Sequence, residues 1–173
     1  CCAVRSDLTT TLATLGERRA GGRMAPFDRL LIETSGLAEP ARLVDLFQSD
    51  PRVRSAYALG RLVATVDAVN AQDTLDRHDL AWRQLALADR VLITKADLID
   101  PVERAAHLAR LFERLRAINP HASLVDAAIS GSDSGADADA DAAGLLRCDV
   151  DDEARSDAFD TLQAIGLSAP EHA

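Results

Sequence analysis

Apolar positions along the chain switch between two spacings, and the switching predicts a fold class. From Asp7 to about Arg19, Leu8, Leu12 and Leu15 recur at helical intervals; Ser6 or Asp7 is placed to cap the start, and Gly21-Gly22 breaks the run. Phe27 to Ile32 reads as a first strand ending in Leu30-Leu31-Ile32, continuous rather than alternating, as in a strand covered on both faces. Pro40 suits the first position of a helix whose stripe is Leu43, Leu46 and Phe47, and Asp50-Pro51 marks a turn. Arg61–Asp67 is a second strand, followed by a helix from Asn70 to about Asp89 punctuated by Leu80, Gln84 and Leu87. Arg90–Thr94 is a third strand.

Asp100-Pro101-Val102-Glu103 then has the form of a helix start, with a capping Asp, Pro at the first position and Glu at the third. Leu108, Leu111, Leu115 and Ile118 carry that helix to Asn119-Pro120, and Ser123–Ile129 is a fourth strand. Strands alternating with helices predict an α/β fold, a mostly parallel sheet with helices on both faces. Residues 1–130 are expected to form this domain. Residues 131–144 are acidic, glycine-bearing and low in complexity, the composition of a solvated linker, and 145–173 is too short for a second domain.

Composition narrows the function classes. The 173 residues are 47% hydrophobic but only 3% aromatic, so the core is built from Ala, Leu, Val and Ile. A net charge of −9 argues against a nucleic-acid partner, which needs a basic surface. No apolar run approaches the roughly 18 residues of a membrane span. Three cysteines, two of them adjacent, make no disulfide framework, so a reducing, cytoplasmic location is expected. Lys95 is the sole lysine among 19 Lys and Arg, which rules out a G-x-x-x-x-G-K-[ST] phosphate loop within these residues.

Two strand ends carry candidate chemistry. At Thr94-Lys95-Ala96-Asp97 a carboxylate can accept from the N1–H and N2–H₂ edge of guanine, whereas adenine presents an acceptor at N1. The lysine stem can lie against a base while its ammonium stays wet. A strand end followed by a solvated helix start produces the same four residues, so both readings stand on the tetrapeptide alone. At Glu33-Thr34-Ser35-Gly36 a carboxylate can hold Mg²⁺ through water or orient an attacking water. The glycine three residues on lets a backbone N–H approach a phosphate. Asp67 ends another strand and either faces the same edge or caps the helix after it.

FDRLLIETSGLAEP, VATVDAVN, LADRVLITKADL and INPHA, in this order, resemble the CobW-type GTPases, P-loop metallochaperones of the CobW/HypB/UreG kind. The resemblance covers Cys1 to about Ala122. It implies that Glu33 is the Walker B-type acid near Mg²⁺ and Gly36 the glycine of the E-x-x-G switch. Lys95 and Asp97 correspond to the guanine-recognition pair, with Thr94 where many GTPases have Asn. Cys1 and Cys2 correspond to the last two cysteines of the family's G-C-x-C-C metal motif, whose thiolates suit Zn²⁺ or Co²⁺.

The family's phosphate loop and its strand would precede Cys1, so the chain is expected to hold an incomplete P-loop NTPase-like sheet and to be part of a longer protein. The resemblance implies GTP hydrolysis with Mg²⁺, and delivery of zinc or cobalt to a metal-dependent client protein. Two other readings remain open: a nucleotide-binding maturation adaptor without hydrolysis, and an inactive fragment.

Overall fold

A computed structural model of the chain describes residues 2–127. Cys1, the linker at 131–144, the tail at 145–173 and the expected strand end at Ile129 lie outside the described residues. The chain divides into two units, one from Cys1 to Leu59 and one from Gly60 onward.

The first unit is helical among its described residues. Helix α1 (Cys2–Ala20) begins ahead of the expected caps: Ser6 and Asp7 sit inside it, and their carbonyls accept from the hydroxyls of Thr10 and Thr11 one turn on. Helix α2 (Pro40–Ser49) follows, then a short α3 (Pro51–Ala56). Asp50-Pro51 is therefore more than a turn. The Asp50 carboxylate accepts from the backbone N–H of Arg52 and Val53 and caps α3, and the neighbouring Arg52 guanidinium holds its pKa below the usual carboxylate range. Leu12, Leu46, Phe47 and Val53 form the core of this unit. Gly16 lets α1 and α3 approach closely, since a Cβ there would lie 2.8 Å from that of Ala56.

The expected strand at Phe27–Ile32 is not formed; the segment is irregular. A strand is stabilised by a ladder with a neighbour, and among the described residues the first unit offers no strand to pair with. Ile32 instead packs on the helical core while Leu31 remains 70% exposed. Arg19 stacks over the Phe27 ring at 5.1 Å from its centroid.

The second unit contains the sheet. Strands β1 (Val63–Asp67), β2 (Arg90–Thr94) and β3 (Ser123–Asp126) are parallel in the order β1-β2-β3. Helices α4 (Ala71–Arg77) and α5 (Asp79–Ala86) connect β1 to β2, and α6 (Pro101–Ile118) connects β2 to β3. Two crossovers of the same hand between successive neighbours fall on the same side of a sheet. Accordingly Val66, Val91 and Ile93 form one cluster with Leu75, Leu85, Leu111 and Leu115 from the three helices, while Val63 and Thr65 on the alternate positions stay exposed.

The expected single helix from Asn70 to Asp89 is two, separated at His78, whose backbone is extended. At about 100° per residue, Leu75 and Leu85 would lie some 80° apart around one straight helix. Both lie in the same core, and one apolar stripe also spans that separation. Helix α6 starts as expected, the Asp100 carboxylate accepting from Val102 N–H at 2.8 Å. It stops at Asn119, which does more than end it. The buried Asn119 amide donates to the carbonyls of Leu85, Ala86 and Ala88, and its oxygen accepts from the N–H of His121 and Ala122.

Candidate functional site

In a parallel sheet all strands end on the same edge, and the loops leaving that edge are where ligand sites are built. In β1 and β2 those ends are paired residue for residue, Asp67 opposite Thr94, and the ladder continues one step further with Ala68 N–H donating to Thr94 O at 2.9 Å. The Thr94 hydroxyl donates back to Val66 O. The two loops that follow therefore start from a common, fixed origin.

Lys95 leaves β2 in the left-handed region, at φ 60° and ψ 21°. Such a backbone costs a non-glycine residue energy and persists where its surroundings impose it. Here it turns the chain into a single 3₁₀ turn (Ala96–Leu98) anchored by the buried Ala96. The Lys95 ammonium reaches across to the other strand end, its Nζ 2.7 Å from Asp67 Oδ2. Asp67 Oδ2 also accepts from Asn70 Nδ2, while Oδ1 accepts from the N–H of Val69 and Asn70. With Lys95 the largest cause and Asn70 next, these donors hold the Asp67 carboxyl well below its usual range, at about 2.

The loop after Lys95 is tied from beneath by α6. Arg104 donates to the backbone carbonyls of Asp97 and Ile99, at 3.0 and 3.1 Å. One turn on, His107 Nε2 lies 2.8 Å from Ala68 O; a carbonyl only accepts, so this nitrogen carries a proton and donates. Arg104 takes the main chain of Asp97 and not its side chain. The Asp97 carboxylate is exposed and accepts no hydrogen bond among the described residues. Thr94, Lys95 and Asp97, singled out from the sequence, lie at the end of β2 and on the loop that leaves it, with an unpartnered carboxylate two residues after a tethered ammonium. Asp67 was left undecided by the sequence. Arg104 and His107 had no signal in it, because both act on backbone carbonyls, Arg104 on those of the loop just before its helix and His107 on that of Ala68, thirty-nine residues away.

Glu33 and Gly36 lie in the first unit. Glu33 is exposed and follows the irregular segment at Phe27–Ile32. Gly36 stands in a turn closed by Ala38 N–H donating to Ser35 O, and a Cβ at Gly36 would meet nothing within 4 Å. A hollow of about 560 Å³ opens between α1 and α3, and none of the sequence-predicted residues line it. Cys2 begins α1, and Cys1, its expected companion as a metal ligand, is outside the described residues. Among the described residues no group of three or more His, Cys, Asp or Glu is placed to hold a metal ion. No helix among them is long and apolar enough to cross a membrane.

Residues 1–126 match the model of the CobW/HypB/UreG nucleotide-binding domain. The chain is 34% identical over 122 residues to the zinc chaperone YjiA of Escherichia coli, covering 70% of this chain and 36% of that protein. It is 36% identical over 122 residues to the zinc chaperone CobW of Pseudomonas aeruginosa, covering 58% and 31%. A third relative, 33% identical over 100 residues, is the zinc-regulated GTPase metalloprotein activator 1 of Schizosaccharomyces pombe, with 57% and 23% covered. The chain thus spans about a quarter to a third of the length of the curated relatives it matches.

Among solved structures, the Zn(II)-bound YjiA GTPase of E. coli superimposes with a TM-score of 0.56 at 34% identity, over 64% of this chain and 32% of that one. A Zn(II)-bound triple mutant of YjiA, with one glutamate and two neighbouring cysteines replaced by alanine, gives 0.61 at 31% identity over 78% and 37%. The three parallel strands and their helices are accordingly part of a P-loop NTPase fold.

Proposed function

The chain belongs to the CobW/HypB/UreG nucleotide-binding domain family, and from that premise we propose that it forms the base-reading part of a GTP-hydrolysing zinc metallochaperone. The observation that carries this reading is the Asp97 carboxylate: exposed, held by its backbone through Arg104, and next to the tethered Lys95. A carboxylate so placed pairs with the two donors of the guanine edge and leaves a desolvated, unpaired group when adenine is offered. Thr94 closes the strand end from which both side chains depart.

Glu33 and Gly36 are proposed to sense the γ-phosphate, Gly36 from an exposed turn in which the residue carries no side chain of its own. Glu33 is a hard-oxygen donor in an exposed position, which fits Mg²⁺ held through water; the ion would neutralise phosphate charge as hydrolysis proceeds. Zinc, or cobalt, is the proposed cargo, with Cys1 and Cys2 as thiolate ligands and a metal-dependent client protein as recipient in a reducing cytoplasm. The relatives named as zinc chaperones favour zinc. The alternative reading is a nucleotide-binding adaptor that does not hydrolyse GTP.

Titration calorimetry of the full-length protein with GTP, ATP and xanthosine triphosphate tests the base assignment. GTP should be preferred over ATP by about a hundredfold or more, and Asp97→Asn should turn the preference toward xanthine, whose 2-oxo group accepts from the new amide. An unaltered preference for GTP in that variant refutes the assignment, and release of phosphate separates the GTPase from the adaptor. For the cargo, zinc remains bound in the YjiA mutant that lacks two neighbouring cysteines, so affinity is the useful readout here. A Cys1→Ser/Cys2→Ser variant that binds zinc as tightly as the wild type removes those ligands.

A further inference from the structure

The guanine reading leaves one charged group at the strand ends without a role. Asp67 is neither the base-pairing carboxylate nor a γ-phosphate sensor, yet both its oxygens are fully engaged, and one of them is bound to Lys95. We propose that Asp67 is a positioning residue for the base: from the end of β1 it holds the Lys95 ammonium, so that the lysine stem is already set as a rest for a guanine ring beside Asp97. This rests on the base reading above and adds to it the residue that makes the lysine rigid.

Three features support it. A lysine on an exposed loop samples many rotamers, and a base that stacks on its stem must first freeze them; fixing the side chain beforehand removes that cost from binding. Lys95 is such a residue, with 56% of its side chain exposed, and its tether crosses from one strand end to the next. The anchor is itself immobile. Asp67 is only 26% exposed, is paired with Thr94 in the ladder, and is held by two backbone N–H groups and the Asn70 amide. Finally, the left-handed turn at Lys95 separates the directions of the two side chains. The ammonium goes to β1, and Asp97, two residues on, keeps its carboxylate in solvent.

The pair acts on the stacking surface and reads no hydrogen-bond pattern, and this distinguishes it from Asp97. The test is dissociation of fluorescent (methylanthraniloyl) GDP and ADP from the full-length protein, followed by stopped flow. Asp67→Asn is the informative variant. Its amide oxygen can still accept from Val69 and Asn70, while its NH₂ group faces the ammonium, donor against donor. GDP should leave about three to five times faster, the range of a partly exposed ion pair, with the ratio of GDP to ADP affinity unchanged. In a Lys95→Met background, which keeps the stem and removes the ammonium, adding Asp67→Asn should change nothing.

An unchanged dissociation rate for Asp67→Asn overturns the proposal. So does an equal effect in the Lys95→Met background, which would show Asp67 acting through its turn alone, and so does a collapse of the GDP to ADP ratio, which would show the Asp97 loop displaced. Asp97→Asn measured alongside keeps the two levels apart. A preference switched toward xanthosine diphosphate with a silent Asp67→Asn removes this proposal only; an unswitched preference removes the base site and the proposal together.

Discussion

Asn119→Ala is expected to be among the most damaging single substitutions in the second unit. The side chain is 8% exposed and lies where the end of α5, the end of α6 and the entry to β3 converge. Its two amide hydrogens serve three carbonyls, those of Leu85 and Ala88 at 2.9 Å and of Ala86 at 3.2 Å, and its oxygen serves two N–H groups at 3.1 Å. Only one orientation of the amide satisfies this set. A net hydrogen bond contributes about 1 kcal/mol, and a buried polar group left unpaired costs about 1–3 kcal/mol. Alanine removes all five of these bonds, although the Leu85 carbonyl keeps the Ala88 N–H, so the loss should be about 2–4 kcal/mol, a large share of the 5–15 kcal/mol typical of a domain.

Trp82, the sole tryptophan, sits in α5, the helix whose final carbonyls Asn119 holds. Urea unfolding followed by its fluorescence reports on the affected unit. The midpoint should fall with little change in the denaturant slope. Asn119→Asp should cost at least as much at neutral pH, because it sets a carboxylate oxygen against the three carbonyls. A loss below about 1 kcal/mol for Asn119→Ala would mean that the amide does not hold these elements together, and the reasoning would fail.

Two further predictions concern other parts of the chain. The Asp67 carboxyl titrates at about 2 in the folded protein against an ordinary 3.8, so its contribution is present above pH 4 and is lost as pH falls toward 2. Screening at the half-exposed Lys95 reduces that contribution to about 1 kcal/mol, so wild type should lose about that much more stability than Asp67→Asn between pH 5 and pH 2.5; parallel losses would contradict the pairing. In the first unit, Gly16→Ala should gain about 1 kcal/mol of helix propensity and lose more to the 2.8 Å approach of Ala56. A lower thermal midpoint is the expected result, and a higher one would show that α3 yields freely.

The elements that were legible in the sequence are those whose signals are local. Strand β2 occupies the very residues that its apolar run predicted, and α6 begins and ends where Asp100, Pro101 and Asn119 place it, because caps and breakers act within one turn. What failed were features that depend on a distant partner. Leu30-Leu31-Ile32 has the composition of a strand, but a ladder needs a neighbour, and the first unit provides none among its described residues. The break at His78 has no local signal in the Ala-rich pattern, and Leu75 and Leu85, from the two helices, share one core. In Asn119 the sequence showed a helix stop; that its amide holds α5 follows only from tertiary structure. The candidate site divides in the same way. Thr94, Lys95 and Asp97 fall within four residues and could be singled out together as candidates, whereas Arg104 and His107 act on backbone carbonyls, that of Ala68 thirty-nine residues from His107, which no sequence pattern marks.

Asp67 shows why the two kinds of signal can be hard to separate. Its sequence context allowed a helix cap or a site residue; in the structure the cap position of α4 is Asn70, and the two Asp67 oxygens divide between the turn before that helix and the next strand end. Oδ1 accepts from Val69 and Asn70 and closes the turn before α4, while Oδ2 faces Lys95. The turn alone does not account for a carboxylate, since Asn or Ser can close such a turn as well. A negative charge at the end of β1 is accounted for by the single ammonium of the chain, 2.7 Å away on the next strand. The choice of Asp over Asn at this position is therefore a statement about Lys95. It is made twenty-eight residues before that lysine appears in the chain, and it can be read only once β1 and β2 are placed side by side.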